Sequence, residues 1–181
     1  DVEVSKALIA QLYDTLQTPE ARYASGTLKI VDPHTWATRA YARIYEKVPF
    51  MTHGVPGAGV FATNAAGRMR WDAFPDIISD DTYVRLNFGP EERVGVPATY
   101  TWPLVEGWNN LVRVRRRQNA GVDEIKAKYP ELLKNDDKPA FPLQEKLRLA
   151  VKDPIGFAVY AGVALAVRLT GSNGSGWSRG R

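Results

Sequence analysis

GAGVFATNAAGRMRWDAFPDIISDDTYVRLNF, residues 57–88, is the stretch on which the reading of this chain turns. It opens on glycine and alanine, passes through a basic and aromatic patch, and reaches two adjacent carboxylates, Asp80 and Asp81. Residues 82–88 carry a short helical pattern closed by Gly89-Pro90, a pair that ends helices because proline cannot continue one. At the mouth of such a helix one Asp caps the free N–H groups and the other is left over. The helix N-terminus is expected to depress its pKa. Four glycines, at 54, 57, 59 and 67, let the backbone come close to a ligand. A carboxylate beside such a wall can accept a proton from an attacking hydroxyl. The plain alternative is that both acids only stabilise their helix.

Upstream, residues 4–17 read as an amphipathic helix, with Val4, Leu8, Leu12 and Leu16 at fourfold spacing and Ile9 and Tyr13 widening the stripe. Residues 27–31 suggest a strand closed by Asp32-Pro33. Residues 35–47 return to helical periodicity, with Trp36, Ala40 and Ile44 on one face and Arg39, Arg43 and Lys47 on another. Residues 49–59 read as a loop and residues 60–62 as a short strand, and Asn64 is placed to cap a helical turn. Downstream, residues 93–100 form a strand candidate whose Pro97 points to a sheet edge or an early end. Residues 106–129 form a long helix with a break expected at Gly121. Residues 135–145 read as a linker, 146–170 as a helical extension and 171–181 as a flexible basic tail.

The bulk properties fit a globular domain. The chain has 181 residues, 44% hydrophobic and 24% charged, with a formal charge of +4. This permits an anionic partner without requiring one. No cysteine is present, which excludes disulfides and thiolate metal sites. Only His34 and His53 could supply imidazole. The apolar run 155–167 is too short to cross a bilayer, which takes about 20 residues.

The order of a small-residue loop, RMRWDAFPDIISDD, a short helix, a strand and an arginine-rich helix resembles the acceptor-side half of family 2 glycosyltransferases. In that family an acidic pair at a helix start supplies the catalytic base, which the resemblance lays on Asp81 with Asp80 beside it. A second family motif, Q-x-x-R-W-x-x-G, falls on residues 114–121, VRRRQNAG. Arg117 and Gly121 match. Val114 and Gln118 replace its Gln and Trp, which argues against the processive polysaccharide synthases. Asp1-Val2-Glu3 stands where a metal-binding D-x-D would end.

The resemblance implies an α/β fold, the C-terminal part of a GT-A (Rossmann-like) glycosyltransferase domain over residues 1–134, with the nucleotide-binding half outside this chain. It implies sugar transfer with inversion from a nucleotide-sugar donor to a carbohydrate or lipid-linked acceptor. Arg115, Arg116 and Arg117 would hold the donor diphosphate, because guanidinium forks match phosphate oxygens. Gly57, Gly59 and Trp71 would receive the acceptor. Asp1 would ligate a divalent cation, Mg2+ or Mn2+. It implies a cytoplasmic location at the inner face of the cell membrane, in peripheral contact through the run 155–167 and the flanking Lys152, Arg168, Arg179 and Arg181. Nucleic acid is not an expected partner, since no aromatics alternate with the arginines. The competing reading is a basic helical module that binds an anionic membrane or nucleic acid without catalysis.

Overall fold

A computed structural model of the chain describes residues 2–170. It is a mixed α/β domain, with helices packed around a four-stranded sheet in the order β1-β4-β2-β3. Strand β1 (Glu3–Val4) leads into helix α1 (Lys6–Thr15). The Ser5 hydroxyl caps α1, accepting from the Leu8 amide at 3.1 Å. Leu8 and Leu12 pack on Ala24, Val96 and Tyr100. Ile9 and Tyr13 are exposed, because a short helix on one sheet buries a single ridge. Strand β2 (Tyr23–Ile30) begins well before the expected residue 27. Its first four residues are all buried, so both faces are covered and no alternation announces it.

Helix α2 (Trp36–Tyr45) buries Ala37, Ala40, Tyr41, Ile44 and Tyr45. Trp36, expected on that face, is exposed. Next come α3 (Pro49–Thr52), β3 (Ala62–Thr63) and α4 (Ala65–Arg68). Asn64 caps α4 as expected, accepting from the Gly67 amide at 2.9 Å. Its side-chain amide also ties down the carbonyls of Thr18 and Glu20. Helix α5 (Asp80–Leu86) starts before the expected residue 82, with Ser79 at the N-cap position and no side-chain cap, so both acids lie in its first turn and neither is its cap.

Strand β4 (Arg93–Trp102) runs parallel to β2 and antiparallel to β1, and β2 runs antiparallel to β3. Pro97 neither ends the strand nor lies outside it. Pairing to β2 skips from Gly95–Ser25 to Thr99–Thr27, so Pro97 occupies a bulge where no ladder donor is needed. On its other side β1 reaches only Tyr100 and Thr101, and the Gln11 side chain accepts from the Ala98 amide at 2.9 Å.

Helix α6 (Trp108–Lys128) is continuous through Gly121. A 3-10 turn (Pro130–Asn135) follows, then α7 (Leu143–Lys152) and α8 (Pro154–Leu169). Val159 and Val163 of α8 share a core with Ala40, Tyr41, Tyr45, Val48 and Leu111. The helical extension is thus packed into the domain. The expected linker is likewise folded back, for Asp136 and Asp137 pair with arginines of the domain. The tail expected at 171–181 lies outside the described residues.

Candidate active site

The N-terminus of α5 is fixed from two sides. Gly121 of α6 faces Ser79 so closely that a Cβ there would stand 2.9 Å from the Ser79 Cβ. The Glu124 carboxylate accepts from the Ile78 amide at 2.8 Å. The expected helix break at Gly121 is therefore a close approach between α6 and the residue before the acidic pair. The start of α6 is anchored in turn. Glu106 accepts from the amides of His34 at 2.9 Å and Thr35 at 3.0 Å, which ties α6 to the start of α2.

Within α5 the two acids differ. Asp80 is exposed, and its Oδ1 accepts from the Asp81 amide at 2.9 Å. Asp81 Oδ1 accepts from the Thr82 amide at 2.6 Å and the Thr82 hydroxyl at 3.3 Å. Its Oδ2 makes no hydrogen bond to the described residues. Burial, and then the Asp80 charge, push the Asp81 carboxyl above the usual Asp value, against the Thr82 amide and Lys138. The expected depression by the helix N-terminus is outweighed by burial.

Asp81 lines a cavity of about 390 Å3, a size that suits a small-molecule ligand. The cavity wall includes Gly59 from the loop before β3, Trp102 from the end of β4, and Arg115, Gln118 and Asn119 from α6. Tyr45, Phe50, Phe141 and Tyr160 make the rest of it aromatic. Arg115 stands over the Tyr160 ring at 6.0 Å.

The structure divides the other expected site residues. Arg116 turns away to the Thr170 hydroxyl. Arg117 lines a smaller neighbouring cavity of about 220 Å3, which Arg115 also borders. Consecutive helical residues point about 100° apart, so three arginines in a row cannot grip one diphosphate together. Gly57 is buried, at φ 62°, and a Cβ there would lie 2.8 Å from the Tyr23 ring. It shapes the loop that presents Gly59 rather than touching the cavity. Trp71 is buried against Phe74, Tyr83 and Phe88, with Arg68 over its ring at 5.1 Å. It is a core residue, and Trp102 is the tryptophan of the cavity.

The residues that sequence reasoning missed lie on the strap 136–141. Asp136 accepts from Arg85 Nη2 at 2.7 Å. Asp137 accepts from Arg85 Nη1 at 2.9 Å and Arg93 Nη1 at 2.8 Å. These pairs carry Lys138 and Phe141 to the cavity wall. The Lys138 ammonium lies 4.4 Å from the centre of the Phe50 ring. Burial, and then the Arg85 charge, lower its pKa to about 8. The only signal in the sequence was the run Asp136-Asp137-Lys138, two acids placed to answer two buried arginines.

Asp1, the expected metal ligand, lies outside the described residues. Among the described residues no three His, Cys, Asp or Glu side chains come together to hold an ion. Comparison of the chain with protein-family models, with curated proteins and with solved structures finds no match.

Proposed function

We propose that this domain is the acceptor side of a glycosyltransferase similar to family 2, and that the cavity beside α5 receives the sugar acceptor. One observation carries the reading: Asp81, with one carboxylate oxygen free of hydrogen bonds to the described residues, shares a cavity wall with Gly59, Trp102 and Arg115. The acceptor hydroxyl oxygen forms a bond to the anomeric carbon of the nucleotide-sugar. Asp81 Oδ2 takes the hydroxyl proton as that bond forms. The bond from the anomeric carbon to the diphosphate oxygen breaks, and its electron pair leaves with the diphosphate. Attack from the face opposite the leaving group inverts the anomeric centre. Arg115, the one of the three arginines that lines this cavity, meets the developing negative charge in this reading. Aromatic walls suit a sugar ring, whose C–H face stacks on them. A base with a raised pKa is better matched to its proton.

The test is sugar transfer. The chain, joined to the nucleotide-binding half that this reading requires, is given radiolabelled nucleotide-sugars and soluble or lipid-linked acceptors. Asp81→Asn is expected to abolish transfer and leave donor binding unchanged. Near-normal turnover by that variant overturns the assignment.

A further inference from the structure

The outer side of α7 and α8 is apolar where a soluble domain would be polar. On α7, Leu143, Leu147 and Val151 recur every four residues, so they fall within an arc of about 80°. They are 70%, 59% and 85% exposed. Leu149, on the opposite side, is the residue that α7 buries. On α8 the buried ridge is Gly156, Val159, Val163 and Val167, while Ile155, Leu165 and Leu169 face outward. The helix is thus built to meet something apolar on both sides, and among the described residues only its inner side is covered.

Charge says what covers the outer side. The carboxylates of this hairpin are engaged close to the protein. Asp153 pairs with Arg43 at 2.6 Å and caps α8 through the Gly156 amide, and Glu145 lies 3.4 Å from Arg148. Lys146, Lys152 and Arg168 have no carboxylate partner among the described residues. Lys146 stands beside the apolar stripe on α7 and Arg168 beside Leu169 on α8. A second copy of this face would set cations against cations. An anionic lipid surface complements both the apolar stripe and its basic flanks. Helix α8 is about 24 Å long at 1.5 Å per residue, and no helix of the described residues is long and apolar enough to cross a membrane.

We infer that the α7–α8 hairpin is an interfacial docking surface that lies flat on an anionic membrane. Leu143, Leu147, Val151 and Ile155 sink below the headgroups, and Lys146 and Lys152 extend to the lipid phosphates. The surface stands whether or not Asp81 transfers sugar, because none of these residues lines the cavity.

The experiment is co-sedimentation of the 181-residue chain with vesicles of phosphatidylcholine alone or mixed with phosphatidylglycerol. The chain is expected to bind the mixed vesicles far better, with binding weakened by salt. Leu147→Glu with Val151→Glu is expected to abolish binding to both. Both positions are exposed, and an unchanged circular dichroism spectrum confirms that the variant folds. Lys146→Gln with Lys152→Gln is expected to weaken binding to the mixed vesicles only, by about fivefold per residue. Equal binding to neutral and anionic vesicles, no binding to either, or unchanged binding by the Glu variant overturns the inference. So does a dimer in solution that the Glu variant separates, since a second copy would then cover the face.

Discussion

Removing the Asp137 carboxylate tests whether the strap is part of the fold. Arg85 and Arg93 are 2% and 6% exposed, and Asp137 Oδ1 binds both. In Asp137→Ala, Arg85 keeps Asp136. Among the described residues Arg93 keeps the carbonyls of Arg85, Phe88 and Asn135. Breaking a buried ion pair from one side costs about 3–5 kcal/mol. The Asp137 side chain is 21% exposed and Asp136 remains, which places the cost near the lower end, at about 3 kcal/mol. That is a large part of the 5–15 kcal/mol that holds a typical domain together. With a urea slope of about 2–3 kcal/mol/M, the unfolding midpoint falls by about 1–1.5 M. Urea titration followed by tryptophan fluorescence reads this directly. The control is Asp123→Ala, whose pair with Lys126 is exposed on both sides and contributes less than about 1 kcal/mol. If the two variants unfold at the same urea concentration, the strap is not held by its charges and the reasoning fails.

Two further outcomes follow from local geometry. Gly121→Ala drives a methyl into Ser79 and is expected to destabilise the domain by about 1–3 kcal/mol. Adding Ser79→Gly should restore most of the thermal stability, and a Gly121→Ala chain as stable as wild type would refute the close approach. Glu106 is burdened by burial, yet the Thr35 hydroxyl and the His34 and Thr35 amides outweigh that and hold its pKa at about 2. Its folded pKa is below the unfolded value of 4.5, so its stabilisation is present above pH 4.5 and is lost as pH falls toward 2. The stability difference between wild type and Glu106→Gln should shrink over that interval, and a difference that stays constant would contradict the assignment.

Local signals were legible in the sequence, and long-range placement was not. The Asn64 cap and the long helix after residue 106 rest on neighbours in the chain, and the structure shows both; the helix beside the acidic pair starts earlier than expected, at Asp80, with neither Asp as its cap. The start of β2 was hidden because burial on both faces removes the alternation that marks a strand. Trp71 and Trp102 look alike in sequence, yet Phe88 and Tyr83 take the first into the core while the second lines the cavity. Arg115 could not be separated from Arg116 and Arg117 until the rotation of α6 was known. Residues 136–141 carry the proline and charge of a linker. Only the burial of Arg85 and Arg93, far away in sequence, explains why they fold back.

The parallel pairing of β2 with β4 bears on the order in which the molecule forms. Residues 31–92, which contain α2 to α5 and the part of the cavity wall that includes Asp81, all lie between these two strands. Closing the ladder therefore closes a long loop, whose entropic cost is met only when the enclosed helices already have partners. The segment that carries Asp81 and the central strand pair are then a single kinetic unit. Amides of Leu28 and Tyr100 should gain protection from exchange in the same refolding phase as those of Val84 and Leu86. A ladder protected well before α5 would show that the sheet forms without the site.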